Sequence, residues 1–284
     1  MKLIHLTDIH MVGGGQRLYG VDPARRLNLA VDSINAEHSD AAYVVVTGDL
    51  TNWADADAYG VVAQALGRLT PKVQLLIGNH DDRDNFARAF PTAPLDENGF
   101  VQSVFETPFG RALCLDTFEP GTAVGSYCEK RLNWLTTRLE EKDDPTLLFM
   151  HHPPFKIGLH MMDQLNLKDS DTFWDAIAPH AHRIRHLFFG HAHRAINGNW
   201  RGISYSCMRG IGQQLALDLE GSDPDIPGDL AEPAYGVILL SEDSVTVHLH
   251  EFANRSPRFA LLTPDGMDPD RYALDMRHDG FDEP

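Results

Sequence analysis

Five short apolar runs, each ending on residue types that bind metal ions, constrain this chain more than any other feature. Lys2-Leu3-Ile4-His5-Leu6-Thr7 leads into Asp8-Ile9-His10, and Tyr43-Val44-Val45-Val46-Thr47 leads into Gly48-Asp49. Val73-Gln74-Leu75-Leu76-Ile77 precedes Gly78-Asn79-His80-Asp81. Leu147-Leu148-Phe149-Met150 precedes His151-His152, and His186-Leu187-Phe188-Phe189 precedes Gly190-His191-Ala192-His193. Apolar runs this short, bounded by Gly and polar residues, read as buried strands. Ligands of open α/β sheets collect beyond the carboxyl ends of the strands. Five such ends can therefore bring Asp, Asn and His to one point. Oxygen and imidazole donors suit Zn, Mn, Fe and related ions.

Between the runs the pattern alternates with helices. Asp22-Pro23 supplies an N-cap and a Pro at the first helical position, and Leu27, Val31 and Ile34 follow at helical spacing. Tyr59, Val62, Leu66 and Leu69 mark a second stripe. Helices are expected over residues 82–90, 129–141 and 172–178, and an antiparallel strand pair over 100–106 and 111–115. Further strands are expected over 203–207, 236–240 and 245–252. Residues 154–172 and 205–232 are expected to be insertions or loops, on the substrate side of any site the strand ends form, the latter including the Asp-, Gly- and Pro-rich stretch 218–232. We expect one catalytic domain over 1–255 and an acidic tail or oligomerisation arm over 256–284.

Composition removes several function classes. The chain has 284 residues, 43% of them apolar, enough for a sizeable core. The formal net charge of −17 argues against binding a nucleic-acid polymer through a basic face. No uninterrupted apolar stretch is long enough for a membrane helix, and the first strand begins where a signal peptide would stand. Three widely spaced cysteines, Cys114, Cys128 and Cys207, form neither a disulfide framework nor a thiolate zinc site. Together these features predict a reduced, cytoplasmic protein without membrane insertion.

The blocks D-x-H, GD, GNHD, HHPP and GHAH, in this order from Asp8 to His193, resemble the binuclear metallophosphoesterase superfamily of calcineurin-like proteins. Gly15-Gln16-Arg17-Leu18-Tyr19-Gly20, Gly48-Asp49-Leu50-Thr51-Asn52 and Gly78-Asn79-His80-Asp81-Asp82 resemble its class III cyclic-nucleotide and glycerophosphodiester phosphodiesterase branch. Asn52 stands where purple acid phosphatases carry a Tyr, and Trp53-Ala54 where Ser/Thr protein phosphatases carry Arg-Gly. The resemblance implies a four-layer α-β-β-α sandwich with two mixed sheets. It also implies two divalent ions of Mn, Fe, Zn or Co. One would be held by Asp8, His10, Asp49 and His193. The other would be held by Asp49, Asn79, His151 and His191, with Asp49 shared. The implied reaction is in-line hydrolysis of a small-molecule phosphodiester by a metal-activated hydroxide.

His80 is then expected to stabilise phosphoryl oxygens or protonate the leaving group, with Asp81 orienting it. His152, His160, Arg17, Tyr19 and Arg209 are candidate substrate contacts, while His5, His248 and His250 read as structural. A homo-oligomer is expected from the resemblance. Two alternatives stand beside the diesterase: a phosphomonoesterase or pyrophosphohydrolase, and a metal-bound scaffold without turnover.

Overall fold

All five apolar runs are strands, and each runs parallel to a neighbour in its sheet. The computed structural model describes residues 1–221, 226–256 and 266–271. In chain order the elements are β1 (Lys2–Leu6), α1 (Pro23–Glu37), β2 (Tyr43–Thr47), α2 (Ala56–Leu66), β3 (Lys72–Leu76), α3 (Arg83–Ala89), β4 (Ser103–Thr107), β5 (Gly110–Cys114) and α4 (Glu129–Glu141). There follow β6 (Thr146–Phe149), α5 (Ser170–Ile177), β7 (Ile184–Phe189), β8 (Ile196–Trp200), β9 (Ile203–Cys207), β10 (Gln214–Leu215), β11 (Gly228–Asp229), β12 (Tyr235–Leu240) and β13 (Val245–His250). One mixed sheet has the order β13-β12-β1-β2-β3, and the other β4-β5-β6-β7-β9-β8. β1, β2 and β3 are mutually parallel, as are β5, β6, β7 and β9.

Three apolar layers hold this arrangement. Leu3, Val45 and Leu76 of the first sheet meet Phe149, Phe188 and Cys114 of the second, so the two sheets pack face to face. Outside the first sheet, Leu27, Val31 and Ile34 of α1 and Tyr59 and Val62 of α2 cover Ile4, Val44 and Val46. Trp134 and Leu135 of α4 and Phe173 of α5 cover Leu148 and Leu187 on the second. Each fully buried side chain of this size contributes about 1.5–3 kcal/mol. The expected four-layer α/β sandwich is therefore the observed fold. Local signals agree: Asp22 accepts from Arg25 N at 2.9 Å, and Asp82 accepts from Asn85 N at 2.9 Å. His5 lies in the layer between the sheets, bonded through Nε2 to Thr47 Oγ1 at 2.8 Å, which is the structural role expected of it.

The chain divides into Met1–Phe252 and Ala253–Pro284. Most of the arm expected over 256–284 falls on 257–265 and 272–284, outside the described residues. Among the described residues no helix is long and apolar enough to cross a membrane.

Candidate metal centre

The carboxyl ends of β1, β2, β3, β6 and β7 all open on one edge of the sandwich, and their next residues bend sharply there. Asp8, His10, Asp49, His191 and His193 have φ of 52°, 49°, 49°, 67° and 47°. Left-handed backbone costs a non-glycine residue about 1 kcal/mol or more and collects at functional sites. The positive φ at Asp8 and His10 re-aims both side chains away from the run of the strand. Gly48 sits at φ +97° and frees the β2 end for the same bend. A Cβ on Gly78 would lie 2.3 Å from Asp49 Oδ1 and 2.6 Å from His151 Nε2, so this position is kept bare for the donors to approach.

Asp8, His10, Asp49 and His193 converge as one buried group of donors. His10 Nε2 lies 3.0 Å from His193 Nε2 and 3.3 Å from Asp49 Oδ2. His193 Nε2 is 3.5 Å from Asp8 Oδ1. A second group forms on the far side of Asp49. Asp49 Oδ2 is also 3.4 Å from His151 Nε2, while Asn79 Oδ1 lies 3.2 Å from His151 Nε2 and 3.0 Å from His191 Nδ1. One oxygen of Asp49 thus faces both groups. The other, Oδ1, accepts from His80 N at 2.9 Å.

The outer nitrogens of the imidazoles decide which atoms face inward. His151 Nδ1 donates to Thr47 O at 2.7 Å and His193 Nδ1 to Gln213 O at 2.7 Å, because a carbonyl can only accept. His10 Nδ1 pairs with Asn52 Oδ1 at 2.9 Å. All three therefore turn Nε2 inward, whereas His191 turns Nδ1. Second-nitrogen hydrogen bonds of this kind are how metal-binding imidazoles are held, with the inward nitrogens free to exchange a proton for a metal ion. The donor set fits divalent metal ions. Asn52, Thr47 and Gln213 were not recognised in the sequence as supports, because two of them act through backbone carbonyls.

Burial alone would raise the Asp49 carboxyl pKa, but His151, His80 and His10 hold it well below the usual carboxylate range. Burial pushes His10 down to about 3, against the pull of Asp49. His151 behaves oppositely: burial lowers its pKa, yet the Asp49 charge carries it up to about 9. A metal ion on its Nε2 must displace that proton. Loading the metal-free protein at pH 7 should thus release about one proton, and apparent affinity should rise with pH towards 9. Calorimetry in buffers of different ionisation enthalpy reads the release; affinity independent of pH between 6 and 9 would contradict it.

The calcineurin-like phosphoesterase family pattern matches residues 1–195, a span that contains every one of these donors. The chain belongs to the calcineurin-like phosphoesterase family. A protein of Rhodopseudomonas palustris named a probable cyclic nucleotide phosphodiesterase is 42% identical over 265 residues, covering 92% of this chain and 96% of that one. One of Arcobacter nitrofigilis, named a probable glycerophosphodiester phosphodiesterase, is 30% identical over 222 residues, covering 77% and 81%. The purple acid phosphatase of yellow lupin seeds shares the fold with a TM-score of 0.60 at 12% identity, over 90% of this chain and 52% of that one.

Within this phosphoesterase the other candidate residues separate. His80 lines the cavity above the donors, its ring 4.7 Å from that of His10. Its Nδ1 donates to Asn52 O at 2.9 Å, which leaves Nε2 free for a ligand. Asp81 does not orient it, contrary to expectation. The buried Asp81 carboxylate accepts from Leu50 N, Thr51 N, Gly78 N and Tyr59 Oη at 2.9–3.1 Å, tying the β2 and β3 ends together. Burial and the nearby Asp49 raise its pKa to about 6. Removing it strands several buried donors at once. Asp81→Ala should cost about 3 kcal/mol or more of stability, measured by denaturant unfolding; a loss below about 1 kcal/mol would contradict the assigned role.

Tyr19 lines the cavity, but Arg17 and His160 are not among its lining residues. Arg17 reaches back to Gly20 O at 3.4 Å, and His160 packs under Gly221. Arg209 pairs with Glu251 at 2.6 Å. His152 is fully buried and is not among the residues lining the cavity. Its Nδ1 meets Thr117 Oγ1 at 2.8 Å, and its ring lies 4.6 Å from that of His191.

Proposed function

We propose that this phosphoesterase is a binuclear metal-dependent phosphodiesterase acting on small diesters. The observation that carries the reading is Asp49, whose single oxygen Oδ2 faces His10 on one side and His151 on the other. Asp8, His10, Asp49 and His193 would hold one ion, and Asp49, Asn79, His151 and His191 the second. Mn, Fe, Zn and Co all suit such mixed oxygen and nitrogen donors. Bound there, the pair supplies a hydroxide nucleophile at neutral pH and positive charge for the phosphoryl oxygens. Asn79 contributes an oxygen without a negative charge, so the floor keeps net attraction for a phosphodiester monoanion despite the acidic surface. His80 Nε2, fixed by the Asn52 carbonyl, stabilises the phosphoryl oxygens or hands a proton to the leaving alkoxide.

The names of the relatives support diesters, cyclic or linear, over monoesters. The test is hydrolysis of bis(p-nitrophenyl) phosphate, p-nitrophenyl phosphate and inorganic pyrophosphate by protein loaded with Mn²⁺. Faster turnover of the diester is expected. Faster turnover of the monoester or of pyrophosphate would replace the reading, and full metal occupancy with no turnover of any would make the protein a scaffold.

A further inference from the structure

The metal donors form only the floor of a cavity of about 680 Å³. Sites of about 300–1,000 Å³ enclose whole small molecules, so a phosphoryl group alone leaves most of this space unfilled. The walls have another chemistry. Tyr19, Trp53, Met162, Leu165, Leu215 and Leu230 stand around the floor, and no Lys or Arg is among the described lining residues. Asp229 is the one Asp or Glu among the described wall residues, and its Oδ1 is occupied by Ala231 N at 2.6 Å.

Two of these side chains are held out at a cost. Leu18 and Val21 exchange both backbone hydrogen bonds, Leu18 N to Val21 O at 2.9 Å and Val21 N to Leu18 O at 2.8 Å. Tyr19 and Gly20 are therefore the two central residues of a tight hairpin turn, with φ of 50° and 81°. Such a turn favours Asn, Asp or Gly at its first central position; a Tyr there is strained. The strain brings Tyr19 no internal packing, since 71% of it is exposed. Trp53 is 58% exposed, directly before Ala54 at φ 57°. Large aromatics displayed on strained backbone at the mouth of a cavity mark a ligand surface rather than a core.

We propose that Tyr19 and Trp53 form an aromatic wall for a flat, uncharged organic arm of the diester, and that this wall sets substrate choice. The proposal rests on the phosphodiester reading above. A second anionic group would meet Asp229, and no Lys or Arg among the described lining residues would pair it. Glycerol hydroxyls could reach the lining amides of Asn52 and Gln213 but would gain nothing from the ring faces of Tyr19 and Trp53. A flat ring gains by stacking and loses little hydration. The same reasoning makes the wall, rather than the metal floor, the part that separates diesters with flat arms from glycerol-type diesters.

The test compares kcat/KM for 3′,5′-cyclic AMP, which carries a flat arm, and for glycerophosphoglycerol, whose arms are small and polar. The wild type should prefer the first. Trp53→Ala should lower the ratio of the two about ten- to a hundredfold, mainly through KM for the flat-armed diester. Trp53→Phe should restore most of the ratio, and Tyr19→Ala should lower it in the same direction. Metal content, measured in parallel, should match the wild type. A ratio unchanged in Trp53→Ala and Tyr19→Ala, or one that Trp53→Phe fails to restore, would overturn the wall while leaving the diesterase standing. Hydrolysis of neither diester by the loaded wild type would overturn the diesterase reading and this proposal with it.

Discussion

Replacing Asp49 by Asn should abolish nearly all turnover, by about a thousandfold or more in kcat, while the fold survives. The side chain keeps its size, and His80 N can still bond an amide oxygen in place of Oδ1. What disappears is the negative charge that both groups of donors share. Two divalent ions held about 3.5–4 Å apart need a bridging anion against their repulsion. The neutral amide offers none, so at least one ion should be lost at micromolar metal. Metal analysis after gel filtration and a kcat measurement with excess Mn²⁺ check this together. Wild-type stoichiometry with wild-type turnover would remove Asp49 from the centre of the account.

His80→Ala should separate chemistry from metal binding. The side chain is not among the seven donors, and its Nδ1 is already committed to Asn52 O. Metal content should stay near wild type, whereas kcat should fall about a hundred- to a thousandfold, the range typical of a lost proton donor. The loss should be smallest for bis(p-nitrophenyl) phosphate, since p-nitrophenolate leaves without a proton, and larger for alkyl diesters. An equal loss for both leaving groups would assign His80 to phosphoryl-oxygen stabilisation alone. Unchanged kcat for both would take it out of the reaction.

The sequence exposed the strand ends because their physics is local. A run such as Tyr43-Val44-Val45-Val46-Thr47 is apolar on both faces, as a strand covered on both sides must be, and Gly48-Asp49 breaks it abruptly. β8 escaped notice for the converse reason: Ile196-Asn197-Gly198-Asn199-Trp200 is largely exposed and shows no apolar alternation. β10 and β11 are two residues each, too short to leave any period. Of the site, the sequence carried the donor residue types and their resemblance to a known set. It could not carry the partners that turn each imidazole, since Thr47 and Gln213 act through backbone oxygens. Asp81 departs from expectation for a related reason. Its neighbour in sequence is His80, but folding turns its carboxylate towards the Leu50 and Thr51 amides. The cavity walls were the least legible part, because Tyr19, Trp53 and Leu230 come from three separate loops.

The most direct test of the metal centre is a crystal structure of Mn²⁺-loaded protein with anomalous data. Two peaks about 3.5–4 Å apart are expected, with Asp49 Oδ2 between them. His10, His151 and His193 should bind through Nε2 and His191 through Nδ1. A single peak, or a second ion held by His152 in place of Asn79, would contradict the account.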